Sequence, residues 1–198
     1  MKEKVNPLTV QSKNWLADAL LKLMQNKNFN DISIKEIAEK AQLDRRTFYR
    51  HFSTKEELLA YYIDNLSKEY FSVLFSNQNI SIYNITKMYF EFWTRHIHFL
   101  TAINNNNLQV LLLNSYNQYM PELYKKINSK RYLNVGQVNY NAAAERFSME
   151  PMSYKYGLNF KIGGFWNILF EWIKDENRTE PDEMARIISD FMENGMFL

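Results

Sequence analysis

Residues 44–52 read DRRTFYRHF, and they follow the stretch IKEIAEKA at residues 34–41 after a short turn. The four apolar residues of the first stretch stand at i, i+3, i+4 and i+7, which places them on one face of a helix. Phe48 and Phe52 share one face of the next helix at i, i+4. Two short amphipathic helices joined by a turn indicate a helix-turn-helix, whose second helix can enter the major groove of DNA.

Polar residues at the ends of these helices predict where each helix begins. Ser33 and Glu36 have the spacing of a capping box, in which the serine oxygen and the glutamate side chain satisfy free backbone amides. Asp44 can cap the second helix in the simpler way. A second capping box at residues 54–57, TKEE, begins a longer helix after the helix-turn-helix, and this helix is the third one counted from residue 34. The spacing therefore predicts the helix boundaries as well as the helices.

With these motifs in view, residues 10–60 resemble the DNA-binding domain of the TetR/AcrR family of bacterial transcriptional regulators. The likeness rests on the first motif helix, on the block TFYRHF at residues 47–52 and on KEELL at residues 55–59. Chance matches to that block in unrelated proteins should be rare. The resemblance implies a three-helix DNA-binding head followed by a larger helical domain.

Two positions depart from the family pattern. Gln42 stands in the turn where the family usually has glycine, and a left-handed glutamine there would cost on the order of 1 kcal/mol. Arg46 stands before Thr47, where the family often has a small residue. We therefore expect base contacts that are particular to this protein.

The start of the second helix is expected to read bases. Arg45 and Arg46 lie at its N-terminal end, where an arginine can pair with guanine through two hydrogen bonds. Thr47 is expected to touch a thymine methyl group or a phosphate. The alternative for the whole cluster is an ordinary solvated surface, and for Arg50 alone the two interpretations are about equally good.

Other residues are expected on the DNA backbone because of the resemblance. It implies phosphate contacts for Tyr49 and His51, and a backbone contact for Lys55 at the start of the third helix. Ser33 is a further phosphate candidate, although its cap role alone would explain it, and His51 can instead simply pack beside Phe52. The predicted DNA-binding set is Ser33, Lys35, Arg45, Arg46, Thr47, Tyr49, Arg50, His51 and Lys55.

Composition limits the other possibilities. The chain of 198 residues has no cysteine, which excludes disulfides and cysteine-based zinc sites. No apolar run reaches the ~20 residues that span a bilayer, and the polar start MKEKVNPLTV is unlike a signal peptide. We therefore expect no membrane association and a cytoplasmic location. The net charge of +2 divides into +3 for residues 1–60 and −1 for residues 61–198.

The chain is predicted to be all-α, with a DNA-binding domain at residues 1–55 and a regulatory and dimerisation domain at residues 56–198. Of the 31 aromatic residues, 26 lie in residues 61–198. Asn104 to Asn107 mark a break, and residues 129–153 lack helical periodicity and are expected to be irregular. Helices are predicted at about 55–76, 81–103, 107–128, 154–175 and 181–196.

The last two helices are expected to pair with those of a second copy. The helix before last is apolar on more than one side, so it needs two partners. The family resemblance implies a homodimer closed by a four-helix bundle, and a twofold dimer predicts a palindromic DNA operator. The alternative is a larger core within one chain. The predicted dimer residues are Ile162, Trp166, Leu169, Ile173, Met184, Ile187, Ile188 and Phe191.

The larger domain is expected to bind an unknown small-molecule effector, because regulators of this family release DNA in that way. Aromatic residues on its middle helices are candidates for the pocket, although each is also consistent with plain core. The candidates are Phe90, Trp93, Phe99, Tyr116 and Tyr119.

The chemistry of enzymes finds no support in the sequence. It contains no Gly-rich phosphate loop, no nucleophile elbow and no zinc-binding helix motif. We therefore expect a regulator, most simply a repressor, without catalytic residues, cofactor or metal. The alternative is a DNA-binding adaptor or activator whose C-terminal domain docks a protein instead of a small ligand.

Overall fold

The computed structural model describes residues 7–76, 81–119, 121 and 151–194, and in these ranges it contains helices and no strand. The all-α prediction is confirmed. The helices are α1 (Pro7–Met24), α2 (Ile34–Lys40), α3 (Arg45–His51), α4 (Lys55–Ser76), α5 (Ile82–Arg95), α6 (Ile97–Asn105), α7 (109–119), α8 (Pro151–Trp172) and α9 (Pro181–Asn194).

Within the described residues the predicted helices are largely confirmed, with two differences; positions 120, 122–128 and 195–196 of the predicted helices lie outside the described residues. The helix expected over 81–103 is interrupted at His96, which separates α5 from α6. The region expected to be irregular, 129–153, lies outside the described residues up to 150, whereas 151–153 form the first turn of α8. None of the helices in the described part of the chain is long and apolar enough to cross a membrane.

The described residues pack into two compact units. The first combines the chain up to Lys68 with His96–Leu112, and the second combines Glu69–Arg95 with the chain from Leu113 onward. The long helix α4 supplies residues to both units. These units are groupings by packing, and the functional boundary after residue 55 stays a prediction.

The first unit is built on the crossing of α1, α2 and α3. The apolar face of α1 is buried through Leu16 and Leu20, and Ile37 of α2 and Phe48 of α3 are fully buried as well. Ala38 is 1% exposed, and its small side chain allows the helices to cross closely. The three-helix head implied by the resemblance is therefore present.

The turn between α2 and α3 closes as a Schellman motif. Gln42 has a φ of 57°. The amide of Leu43 donates to the carbonyl of Ala38 at 2.9 Å, and the amide of Gln42 donates to the carbonyl of Glu39 at 3.1 Å. This pair of bonds defines the motif, in which the residue after the cap is left-handed. The family pattern, which usually has glycine at this position, therefore pointed to the residue that is left-handed here.

The second unit includes α5 packed against α9. Asp182, in the first turn of α9, accepts hydrogen bonds from the Tyr83 hydroxyl at 2.5 Å and from the Lys87 ammonium at 2.7 Å. These bonds, led by the one from Lys87, lower the pKa of Asp182 to about 2. The carboxylate therefore stays charged at neutral pH and ties the start of α9 to α5.

Candidate nucleic-acid interface

The recognition helix α3 begins at a cap that fixes its orientation. Asp44 accepts a hydrogen bond from the amide of Thr47 at 2.8 Å, as expected from the sequence. Phe48 is fully buried and Phe52 is 6% exposed. Because these two rings anchor the inner face, the three arginines and Tyr49 of α3 are directed away from the core.

The outward face of α3 is cationic. Arg45, Arg46 and Arg50 are exposed, and none of them forms an ion pair within the described part of the chain. Tyr49 lies on the same helix with 52% of its surface exposed. An unpaired guanidinium offers five donors in a planar fork, which suits phosphate oxygens and the edge of guanine. These guanidinium groups therefore face solvent without an ion pair among the described residues, and their DNA contacts stay a prediction.

The start of α2 has the predicted capping box. Ser33 Oγ accepts from the amide of Glu36 at 3.2 Å, and Glu36 Oε2 accepts from the amide of Ser33 at 2.8 Å. Hydrogen bonds from Lys27 and Ser33 lower the pKa of Glu36 to about 2. The Ser33 hydroxyl also donates to Glu36 Oε2 at 2.7 Å, so its hydrogen is already used in the cap. Its phosphate contact stays a prediction.

Lys55 is engaged within its own unit. Its ammonium donates to the backbone carbonyls of Phe29, Asn30 and Ile32 at 2.6, 2.9 and 2.9 Å. It also lies 4.8 Å from the centre of the Phe29 ring. A lysine has three donors, and all three are in use here. The structure thus gives Lys55 a role that the sequence did not suggest, and its predicted DNA contact stays a prediction.

The remaining predicted contacts differ in how open they are. Thr47 is only 9% exposed, so little of its side chain can reach a base. Lys35 is exposed and pairs with Glu39 at 3.7 Å, a surface pair that water screens.

His51 is the predicted phosphate contact that is least open to solvent at its ring nitrogen. Its Nε2 is buried and has no hydrogen-bond partner among the described residues. Burial lowers the pKa of His51, and the positive charges of Arg50 and Lys13 lower it further. His51 therefore favours the neutral form.

Two residues near this interface were missed by the sequence reasoning. Lys13 of α1 lies 5.6 Å from the Phe52 ring centre and 5.3 Å from that of Tyr61. Asn106, interpreted only as part of a break, accepts a hydrogen bond from the amide of Phe29 at 2.5 Å. An asparagine at a helix end is a common cap signal, but the partner lies 77 positions away in sequence, and local spacing does not predict it.

The second unit contains an aromatic cavity of about 40 Å³. Of the five predicted pocket residues, Tyr116 is the one that lines it. The Tyr116 hydroxyl accepts a hydrogen bond from the Trp93 indole at 2.9 Å. Burial raises the pKa of the Tyr70, Tyr89 and Tyr116 hydroxyls, so all three stay neutral. The lining consists of Tyr70, Ile85, Tyr89, Tyr116, Ile162, Phe165 and Trp166.

The other pocket candidates lie in different surroundings. Trp93 is buried behind Tyr116, and the Phe90 ring packs on Trp172 at 5.2 Å between centres. Tyr119 stacks on Phe71, also at 5.2 Å. Phe99 belongs to the first unit, where its ring lies 5.0 Å from that of Tyr62. These four do not line the described cavity, and a ligand contact for them stays a prediction.

The predicted dimer residues divide between the core and the surface. Trp166 is half-buried and packs on Phe170 with ring centres 4.6 Å apart. Ile187 and Phe191 of α9 are 50% and 39% exposed. These two are therefore the side chains most open to a partner. The members buried within the second unit are Ile162, Leu169, Ile173, Met184 and Ile188.

Comparison with known proteins agrees with this geometry. Residues 16–62 match the family profile described as bacterial regulatory proteins, tetR family. A stretch of 50 residues is 38% identical to the dhaKLM operon transcriptional activator DhaS of Lactococcus lactis subsp. lactis (strain IL1403). That alignment covers 25% of this chain and 27% of the relative. The match thus spans about a quarter of the curated relative's length.

Solved structures are similar over nearly the whole chain. The dihydroxyacetone kinase operon activator DhaS has a TM-score of 0.63 at 18% identity, covering 94% of this chain and 97% of that chain. The fatty acid degradation regulator FadR from Bacillus halodurans has a TM-score of 0.68 at 12% identity, covering 98% and 99%. At such identities the likeness concerns the fold. Residues 16–62 therefore form a domain of the tetR family of bacterial regulatory proteins, and over the rest of the chain the likeness to the solved structures is one of fold.

Proposed function

We propose that this chain is a sequence-specific transcriptional regulator that binds a palindromic operator as a homodimer and is released by a small-molecule effector. The observation that carries the DNA-binding part is the outward face of α3, with three exposed arginines that lack acidic partners in the described part of the chain. Regulation of the repressor type is the simplest form of this function.

In this proposal some arginines of α3 contact bases and another contacts the phosphate backbone. Arg45 and Arg46, in the first turn of α3, read base edges, because the N-terminal residues of a recognition helix contact them. Arg50 and Tyr49 bind the phosphate backbone, which positions the helix without reading sequence. The specificity of the protein then depends mainly on two side chains.

The homodimer supplies a second recognition helix. The apolar side chains of Ile187 and Phe191 stand exposed on α9, and burying them against a twofold copy removes apolar surface from water. A twofold dimer repeats every contact, so the operator is expected to have two half-sites about one helical turn apart.

The proposed effector is a small uncharged apolar molecule that enters the aromatic cavity of the second unit as the lining side chains move apart, because about 40 Å³ is less than the ~150 Å³ of a cavity that binds benzene. Aromatic and aliphatic side chains line this cavity, no charged side chain lies in its described lining, and its tyrosines are neutral. A charged ligand would lose its hydration there without a partner. Such an effector releases DNA only if it binds the DNA-incompetent arrangement more tightly.

Thermal unfolding with a panel of uncharged aromatic compounds tests the effector. A compound that binds the folded state raises the melting temperature in a saturable way. An Ile162→Phe variant, which fills the cavity, is the matched control and should lose the shift. An equal shift in the wild type and in this variant would place the compound outside the cavity.

An activator is the second candidate, favoured by the likeness to DhaS, which is described as a transcriptional activator. In that version the second unit docks a protein instead of a small ligand. Deletion of the gene distinguishes repression from activation. Transcription from the operator-linked promoter rises if the protein is a repressor and falls if it is an activator.

Selection from a genomic fragment library tests the DNA-binding proposal itself. The purified full chain retains fragments at near-physiological salt, and the retained DNA is sequenced. A recurring palindrome supports a sequence-specific dimer. Retention without any shared site would contradict sequence-specific regulation and favour non-specific binding.

A further inference from the structure

The C-terminal end of α6 is closed by a second left-handed residue. Asn107 has a φ of 57°, and the amide of Leu108 donates to the carbonyl of Ile103 at 3.0 Å. The amide of Asn107 donates to the carbonyl of Asn104 at 3.1 Å, which completes another Schellman motif. The backbone at Asn106 is therefore held in one conformation by the helix end.

The side chain of Asn106 is fixed by two hydrogen bonds of opposite kind. Its Nδ2 donates to the carbonyl of Ala102 at 2.8 Å, and its Oδ1 accepts from the amide of Phe29 at 2.5 Å. If the side-chain amide were rotated by half a turn, its Nδ2 would face the amide of Phe29, which is also a donor, and its Oδ1 would face the carbonyl of Ala102, which is also an acceptor. This orientation is therefore the one that satisfies both partners, and it needs a side chain that both donates and accepts.

Asn106 meets the helix-turn-helix at the turn that leads into it. Phe29 is 3% exposed and begins a short 3₁₀ turn, Phe29–Asp31. Ile32 follows this turn, and Ser33, the N-cap of α2, follows Ile32. The carbonyls of the same turn are bound by Lys55, so α4 holds one side of it while Asn106 holds the amide at its start.

We propose that Asn106 is a positioning residue for DNA binding, which fixes the entry to α2 through the amide of Phe29 and thereby sets the placement of the helix-turn-helix. The inference rests on the proposed DNA-binding function. Without its acceptor the amide of Phe29 loses its partner, and a half-buried amide left unpaired is costly enough for the turn to change its path. The change is passed on to α2 and then to α3, because these helices pack together.

Three variants of the full chain separate this role from general stability. Asn106→Leu keeps the size of the side chain and removes both hydrogen bonds. Asn106→Asp retains an acceptor for the Phe29 amide but replaces the donor toward the Ala102 carbonyl with a second acceptor, which must turn away from it. Asn105→Ala changes the exposed neighbouring asparagine and is the matched control. Each is titrated with the operator recovered by genomic selection and with a random-sequence duplex of equal length.

We expect Asn106→Leu to weaken operator binding about tenfold, the loss that corresponds to one unpaired buried group. Binding to the random duplex should change less than about twofold, because it depends on charge and not on placement. Asn106→Asp should retain most of the preference for the operator over the random duplex, with a loss of that preference of less than about threefold, because it keeps the acceptor for the Phe29 amide. An unchanged operator affinity for Asn106→Leu, or no recovery in Asn106→Asp, would overturn the proposal.

Exchange of the Phe29 amide with solvent gives a readout that does not depend on DNA. It should become at least about tenfold faster in Asn106→Leu and stay unchanged in Asn105→Ala, while the helical content of both variants is preserved. An unchanged exchange rate in Asn106→Leu would overturn the inference. If the wild type itself shows no preferred site, the proposed function fails, whereas the exchange rate still decides whether Asn106 holds the turn.

Discussion

At the scale of single residues, Gln42 is the clearest local conflict between sequence and backbone. Its φ of 57° puts a side chain with a Cβ atom in the left-handed region, where glycine has no such penalty. Asn107 adopts the same φ, but asparagine tolerates this conformation better than glutamine. The strain at the two positions should therefore differ.

We predict that Gln42→Gly raises the free energy of unfolding by about 0.5–1 kcal/mol, because it removes the strain in the turn. Asn107→Gly is the control and should give a smaller gain. Urea unfolding of both variants and the wild type measures the difference. Destabilisation by Gln42→Gly would show that the glutamine side chain contributes more than its backbone costs.

The arginines at the start of α3 carry the prediction for specificity. Replacing Arg45 or Arg46 by alanine should cost about 1–3 kcal/mol on the operator and relax the preference at one base position. Competition titrations against operators changed one base pair at a time would measure this. Lys22→Ala, an exposed change on α1, is the control. An equal loss on operator and random DNA would refute base reading by that arginine.

At the scale of elements, the helix-turn-helix could be predicted almost completely from the sequence. Caps at Ser33 and Asp44 and the apolar spacing of α2 and α3 are local signals, and local signals determine where short helices begin and which face they bury. The contacts of Lys55 and Asn106 could not be predicted in this way. Each contact joins positions that are more than 20 residues apart in sequence. A side-chain to backbone hydrogen bond of that range does not produce a periodic pattern of residue types, so the sequence alone does not reveal it.

The three bonds of Lys55 make its role testable. We predict that Lys55→Met, which keeps the apolar stem but removes the donors, lowers the free energy of unfolding by about 1–3 kcal/mol. A lysine that serves only as a phosphate contact would change stability by less than about 0.5 kcal/mol. Chemical unfolding of Lys55→Met and of the exposed control Lys22→Met separates these outcomes.

The salt dependence of DNA binding shows whether Lys55 also contacts a phosphate of DNA. If it neutralises a phosphate, the slope of log affinity against log salt becomes shallower by about one unit in Lys55→Met. An unchanged slope, together with lost stability, would leave Lys55 as a structural residue of the turn and remove it from the set of phosphate contacts.

At the scale of the whole molecule, the sequence predicts where the helices lie, whereas the structure shows which neighbours cover their apolar faces. The apolar stripe of α9 is predicted to meet a second copy, and within one chain Met184 and Ile188 are buried in the second unit while Ile187 and Phe191 are exposed. Periodicity identifies an apolar face without saying which neighbour covers it. The cavity shows the same limit, since Tyr116 lines it and Phe90 belongs to a neighbouring cluster.

The exposed residues of α9 lead to a prediction about assembly. Ile187→Glu should raise the dissociation constant of the homodimer at least about tenfold, because it places a charge where apolar contact is expected. Val110→Glu is the control, since Val110 is 62% exposed on α7. Sedimentation equilibrium measures both. Equal association of the two variants and the wild type would mean that Ile187 lies outside the interface.

The central claim is that two recognition helices of a homodimer read one palindrome, and a change in half-site spacing tests it most directly. About five extra base pairs between the half-sites of the selected operator turn the second half-site to the opposite side of the duplex. We predict that this insertion lowers affinity at least about a hundredfold, whereas the same number of base pairs added outside the operator has no effect. Equal affinity for both duplexes would contradict the account.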